Sequence, residues 1–201
     1  MAEHYFSSQS GRDFTPRPLS VDLAGATREV LTAPGIFSPK GLDKGTAVLL
    51  KEVPAARGSR LLDVGCGWGP LSLSMALQNP GAEVIGVDVN ERSLALTEMN
   101  AEKLGLGNVA ARLPEDVDPE LRFDTIWSNP PIRVGKEVLH GILLTWLPRL
   151  SPGGVAYLVV QKNLGSDSLA AWLGTALGEG FSVARLTTSK GFRILRILRA
   201  G

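Results

Sequence analysis

An α/β fold, a mostly parallel sheet with helices on both faces, is what this 201-residue sequence predicts. Three observations carry that expectation. From Arg60 onward, short apolar runs alternate with helix-length amphipathic stretches, the rhythm of strand–helix–strand units. One run, Leu61-Leu62-Asp63-Val64, opens into a turn with glycines at 65, 67 and 69, where backbone can approach a ligand because no Cβ intervenes. The chain closes on two β-rich runs separated only by Ser189-Lys190-Gly191. A parallel connection needs about a dozen residues, so this pair is an antiparallel hairpin.

Taken in order, the first twenty residues are polar, contain Pro16 and Pro18, and read as an extended arm. Val21, Leu23, Val30 and Leu31 flank Gly25 and suggest a hairpin within Ser20–Thr32. Pro34-Gly35 is a turn signal. Asp43 caps a helix that runs to Val53, where Pro54 stops it. Strands are expected at Arg60–Val64, Glu83–Asp88, Val109–Leu113, Phe123–Ser128, Val155–Gln161, Phe181–Thr188 and Phe192–Arg199. Helices are expected at Leu71–Gln78, Glu91–Leu104, Glu137–Leu147 and Ser168–Leu177. Asn90 suits an N-cap and Gly105 a C-terminal stop for the second of these. In the third, Leu139, Ile142, Leu143, Trp146 and Leu147 repeat at three and four and mark one buried face. The expected division is an arm and hairpin extension over 1–42 and one α/β domain over 43–201.

Composition narrows the function. With 44% hydrophobic residues the chain can bury one good core. A net charge of +1 supplies no global field for nucleic acid, so such binding needs a local basic patch. Cys66 is the sole cysteine and only His4 and His140 accompany it, which argues against a zinc site and against any metal. The charged N-terminus has no apolar signal segment, and no run approaches the roughly 20 residues that span a bilayer. A cytoplasmic protein is expected.

Ligands of open α/β sheets bind beyond the carboxyl ends of the strands. The first such end carries Asp63, Gly65, Gly67 and Gly69. The second carries Asp88, nineteen positions after Gly69, the distance at which a carboxylate receives ribose hydroxyls. The third carries Glu115 and Asp116, able to accept from an adenine amino group. A strand-end aspartate also serves simply as a helix cap, and that plain alternative applies to each. The dinucleotide fingerprint has a different glycine spacing, which disfavours NAD. Cys66 has no neighbouring base and reads as a small loop residue.

The fourth strand runs into Asn129-Pro130-Pro131-Ile132. Two prolines make a rigid corner that cannot continue a ladder, placed beside the glycine loop. The Asn129 side-chain oxygen and the Pro130 carbonyl can accept the two hydrogens of a planar amine and free its lone pair. Proline fixes that carbonyl, with no N–H expected nearby to compete.

Leu61–Pro70 resembles the S-adenosylmethionine loop of class I methyltransferases. Asn129–Ile132 resembles the (Asn/Asp)-Pro-Pro-aromatic motif of N-methyltransferases that act on planar amino or amide groups. With His4–Ser7, Pro34–Ser38, Gly41–Thr46 and Gly86–Asp88, the chain is similar over nearly its whole length to the small-domain methyltransferases that make N2-methylguanine in ribosomal RNA. The resemblance implies a Rossmann-like class I fold of seven strands with a terminal antiparallel hairpin. It implies S-adenosylmethionine as cofactor, held by Asp63, Gly65, Gly67, Gly69, Asp88 and Asp116, with Phe37 and the Gly41–Thr46 turn, including Thr46, closing over it. Asn129 and Pro130 would grip the target amine, and Pro131, Ile132, Arg133 and Lys162 would face the substrate. Ribosomal RNA or a ribosomal subunit is the implied partner. Arg12, Arg17, Lys40, Lys44, Arg133, Lys136 and Lys162, on arms and loops expected at the carboxyl end of the sheet, are a candidate patch, with scattered solvated charges as the plain alternative. Two departures stand out. Isoleucine replaces the stacking aromatic at 132, for which Phe37, Phe6, Tyr5 and Trp68 are substitutes, and the chain has one domain copy where the well-known members carry two. A glutamine amide in a protein, a small planar amine, or a non-catalytic cofactor- or RNA-binding role are the alternatives.

Overall fold

The computed structural model describes residues 14–201. A two-stranded antiparallel hairpin comes first, β1 (Arg17–Leu23) and β2 (Ala26–Thr32). Then follow α1 (Lys44–Glu52), β3 (Arg60–Val64), α2 (Pro70–Gln78), β4 (Glu83–Val87), α3 (Glu91–Lys103), β5 (Val109–Arg112) and β6 (Phe123–Ser128). The chain ends with α4 (Lys136–Trp146), β7 (Leu150–Gln161), α5 (Ser166–Ala176), β8 (Phe181–Ser189) and β9 (Phe192–Arg199). The seven-stranded sheet has the order β5-β4-β3-β6-β7-β9-β8. Strands β3 to β7 are parallel, and β9 runs antiparallel to both β7 and β8.

Each sheet face has its own core. Leu62, Ile126, Leu158 and Leu195 pack under α4 and α5, while Leu61, Val84, Trp127 and Ile194 pack under α1 and α2. A third cluster joins hairpin residues Val21, Leu23 and Val30 to Trp68, Leu73 and Leu96. The buried Asn100 amide nitrogen fastens that joint, donating to Leu31 O and to Trp68 O, both at 2.9 Å.

The expected strands and helices all form, with ends that move by a few residues; the expected arm lies outside the described residues as far as position 13. Strand β1 starts at Arg17, inside the stretch expected to be a polar arm; Pro18 is tolerated because a two-stranded hairpin has only edges. Strand β7 starts at Leu150 rather than Val155. Leu150 pairs with Phe123, and a register shift before Thr125 absorbs the intervening Ser-Pro-Gly-Gly. Both hairpins turn on two residues with positive φ, Ala24-Gly25 (50° and 79°) and Lys190-Gly191 (48° and 82°). That conformation matches the twist of antiparallel strands, so Ser189 belongs to β8 and not to the turn.

Candidate active site

The sheet order reverses between β3 and β6, since β4 and β5 lie on one side and β7 to β9 on the other. Val64 and Ser128 are paired across that boundary, and Ser128 Oγ donates to Val64 O at 2.7 Å. The glycine loop and the Asn-Pro-Pro corner therefore leave the sheet side by side. Between them lies a shallow cleft, lined by Gly65, Cys66, Gly67, Trp68, Pro70 and Leu71 from the glycine loop and the start of α2, and by Phe37, Ser38, Asp43, Thr46 and Asn129.

The loop is shaped by its own backbone. Gly65 and Gly67 have φ of 80° and 58°, and a Cβ on either would meet no atom of the described residues within 4 Å. The space over both is open for a ligand. Gly65 N–H and Cys66 N–H donate to Val87 O, and Gly67 N–H donates to Asp88 Oδ2 at 3.0 Å. Asp88 Oδ1 accepts from Asn90 N–H at 2.9 Å. Burial lifts the Asp88 carboxyl above its usual range, and these N–H donors offset part of that rise. Gly69 turns away from the cleft, caps α2 and packs on Thr97.

Asp63 sits behind the loop, not in the lining. It is 0% exposed, and its Oδ2 accepts from Ser72 N–H and Ser72 Oγ. Ser72 is the third residue of α2. Because glycine at the cap position has no side chain, Asp63 supplies the capping oxygen from the neighbouring strand. The plain helix-cap alternative is thus realised at Asp63, and its Oδ1 has no hydrogen-bond partner among the described residues. Gly86 on β4 makes room for this arrangement, since a Cβ there would lie 2.8 Å from Ser72 Oγ and 3.0 Å from Cys66 Cβ. The Cys66 thiol is buried and its pKa is pushed up by desolvation, which keeps it unreactive.

The corner holds a feature that spacing does not reveal. The Asn129 side-chain nitrogen donates to Asp43 Oδ2 at 2.8 Å and to Thr46 Oγ1 at 3.0 Å. Both amide hydrogens are used, so Asn129 offers an incoming group only its oxygen. Pro130 is buried. Its carbonyl accepts from Ile132 N–H at 2.8 Å across Pro131, whose φ and ψ of −74° and 78° form an inverse γ-turn. This corrects the expectation that no N–H competes for that carbonyl. One lone pair is engaged and the other remains for a ligand.

The other expected residues lie further out. Asp116 is exposed in a short turn after β5, Arg133 is exposed in the turn after Pro131, and Lys162 is exposed at the end of β7. Arg17, Lys40, Lys44 and Lys136 are exposed as well. Ile132 packs partly against the core. Of the substitute aromatics, Trp68 is 1% exposed and locked in the hairpin core, so it offers no stacking face; Phe37 is 47% exposed at the cleft. Tyr5 and Phe6, together with His4, Ser7 and Arg12, lie outside the described residues. The loop carrying Phe37 is tied down by the Asn90 side-chain nitrogen, which donates to Gly35 O at 3.2 Å. Among the described residues no cluster of potential metal ligands occurs, and no helix is long and apolar enough to cross a membrane.

This sheet order, with a glycine loop at the reversal point facing an Asn-Pro-Pro corner, defines a Rossmann-like methyltransferase of the S-adenosylmethionine-dependent class. Comparison with known proteins resolves the family. The chain belongs to the methyltransferase small domain family, whose pattern matches residues 27–196. It is 34% identical to the uncharacterized protein YbxB of Bacillus subtilis, with 98% of each chain covered. It is also 33% identical to ribosomal RNA small subunit methyltransferase C of Chromohalobacter salexigens, over 89% of this chain and 53% of that protein. The T. thermophilus 16S rRNA N2 G1207 methyltransferase, solved with AdoMet and guanosine, superposes with a TM-score of 0.76 and 28% identity. That match covers 94% of this chain and 52% of the other. The chain thus spans about half the length of these ribosomal RNA methyltransferases.

The sequence assigns Asp43 to a helix cap and places the Gly41–Thr46 turn, with Thr46, over the cofactor, but links neither residue to Asn129. Structure joins both to Asn129. The signal was present in Gly41–Thr46 as a recognisable word, but not the contact it makes 86 residues away.

Proposed function

We propose that this protein methylates the exocyclic N2 of guanine in small-subunit ribosomal RNA, with S-adenosylmethionine as donor. The observation that carries the reading is the acceptor-only corner beside the glycine loop, in a chain similar along 94% of its length to an enzyme solved with AdoMet and guanosine. The residues present suit the cofactor. Open space lies over Gly65 and Gly67, and the Asp88 carboxylate sits at the neighbouring strand end. Phe37 and Ser38 supply a roof.

The cofactor contributes an electrophilic methyl on a sulfonium, a leaving group that needs no acid. The chain's task is positioning. Asn129 Oδ1 and the free lone pair of Pro130 O accept the two amine hydrogens, which draws the nitrogen lone pair out of conjugation and toward the methyl. The methyl would leave the cofactor's sulfur, which would depart with the bonding pair as a neutral thioether, and Asn129 Oδ1 and the Pro130 carbonyl would stabilise the positive charge on the newly methylated nitrogen until one of its hydrogens is lost to solvent as a proton. Exposed Arg133 and Lys162, on the turns that follow β6 and β7, and Lys136 at the start of α4 face the RNA phosphates.

The test is mass mapping of methylated guanines in ribosomal RNA from cells with and without this chain. One N2-methylguanine missing from the small-subunit RNA supports the reading. Unchanged RNA, with label from tritiated cofactor appearing in protein or a metabolite, replaces it with the amide or small-amine alternative. Cofactor binding with no transfer to any fraction leaves a non-catalytic module.

A further inference from the structure

We propose that Asp43 is a positioning residue for methyl transfer: it grips the Asn129 amide by its nitrogen and so fixes which end of that side chain meets the substrate. The inference rests on the role given to Asn129 above.

The geometry is specific. A single oxygen, Asp43 Oδ2, accepts from Gly45 N–H at 2.7 Å, Thr46 N–H at 3.2 Å and the Asn129 side-chain nitrogen at 2.8 Å. Thr46 Oγ1 takes the second amide hydrogen at 3.0 Å. A carboxylate oxygen cannot donate, so the amide nitrogen is the end held, and its own oxygen is the end released. Without that hold the amide can turn over and present N–H groups to an amine that itself has hydrogens to give. Donor would then face donor.

The backbone of α1 is built to keep the carboxylate in place. A Cβ on Gly45 would lie 3.0 Å from Asp43 Oδ2, 3.1 Å from Phe192 Cε1 and 3.4 Å from Asn129 Nδ2. Only glycine lets the helix start approach the corner this closely. The arrangement also discriminates by chemistry. With both donors of Asn129 consumed, the corner offers acceptors alone, which suits a nitrogen bearing two hydrogens. A hydroxyl nucleophile has a single hydrogen and leaves one acceptor unpaired.

Asp43→Ser separates the two roles of Asp43, because serine still caps a helix but its shorter side chain no longer reaches Asn129. Asp43→Asn keeps both reach and an acceptor oxygen. Single-turnover transfer at saturating cofactor is measured with total RNA and total protein from cells lacking this chain. Cofactor affinity is measured by calorimetry. Asp43→Ser should slow transfer by roughly 10- to 100-fold while the cofactor Kd stays within about 3-fold, and Asp43→Asn should recover most of the rate. Placed on Asn129→Ala, Asp43→Ser should add little, because the group it orients is gone. In nitrogen-15 spectra without substrate, the Asn129 side-chain amide, assigned by its loss in Asn129→Ala, should shift in Asp43→Ser. A wild-type rate in Asp43→Ser, an unshifted amide, or an equal further loss on Asn129→Ala would each overturn the proposal. Wild-type label in protein instead of RNA would overturn the substrate reading alone.

Discussion

Asp63 and Ser72 are joined twice through one oxygen: Asp63 Oδ2 accepts the Ser72 backbone N–H at 2.9 Å and the Ser72 hydroxyl at 2.6 Å. The pair ties the end of β3 to the first turn of α2, beneath the glycine loop. It does so at an electrostatic cost, because Asp63 is fully buried and no cation faces it among the described residues.

The first prediction follows from that cost. Burial pushes the Asp63 pKa up to about 7, against a partial lowering by the two Ser72 hydrogen bonds. In the unfolded chain the carboxyl titrates at its ordinary value near 3.8. Between these values the folded state holds a proton that the unfolded state has released. This group's contribution to stability therefore falls as pH rises from about 4 to about 7, and is level above that. Asp63→Asn removes the titration. Urea midpoints for both proteins from pH 4 to 8 should converge at the acid end, apart from a constant offset, and shift in favour of the variant toward pH 8. A pH-independent difference would mean that Asp63 is ionised throughout.

Asp88 holds the loop from the other side, through Gly67 N–H. Asp88→Ala should lower cofactor affinity roughly 10- to 100-fold. It removes a brace for the loop and, on the proposed reading, a charged acceptor for the ribose, each charge-assisted bond contributing about 1.5–3 kcal/mol. Calorimetric titration with S-adenosylmethionine or adenosylhomocysteine checks this, and an unchanged Kd would take Asp88 out of the site.

Asn129→Ala separates binding from chemistry. Its contacts are to Asp43 and Thr46 on one side and, by the proposed mechanism, to the target amine on the other. Turnover should fall by about 100- to 1,000-fold, the usual scale for losing one preorganised polar contact to developing charge, with cofactor affinity nearly unchanged. If calorimetry finds cofactor binding lost while turnover per bound complex is intact, Asn129 belongs to the cofactor and not to the substrate.

The contrast between Asp63 and Asn129 shows what a sequence can and cannot disclose here. The strand at Arg60–Val64 and the strand at Phe123–Ser128 are as expected from their apolar runs, because buried parallel strands need little else. The glycine positions of the loop were legible because positive φ is written in residue type. Which partner a carboxylate chooses was not. Asp63 and Asp88 look alike at their strand ends, yet one caps a helix inside the core and the other braces the glycine loop through Gly67 N–H. Asp43 and Asn129 are separated by 86 residues, and their contact exists only because α1 packs on β7 and β9, which brings its start to the end of the neighbouring β6. The competing Ile132 N–H was likewise invisible, since the inverse γ-turn depends on a Pro131 ψ that proline does not fix.

Gly45 supplies a last prediction with its own control. Replacing glycine by alanine in a helix ordinarily stabilises by about 0.5–1 kcal/mol, because the unfolded chain loses freedom. Gly174 in α5 is such a place: it is exposed, and an added Cβ meets nothing within 4 Å. Gly174→Ala should raise the urea midpoint and leave transfer unchanged. At Gly45 the added Cβ would press on Asp43 Oδ2 at 3.0 Å and on Phe192 Cε1 at 3.1 Å, and neither a capping carboxylate nor a packed ring yields cheaply. Gly45→Ala should therefore destabilise by about 1–3 kcal/mol, the scale of overpacking. It should also slow transfer, because the carboxylate that must move is the one holding Asn129. Should Gly45→Ala gain stability as Gly174→Ala does, the helix start would have slack, and the fixed placement of the Asn129 oxygen would need another cause.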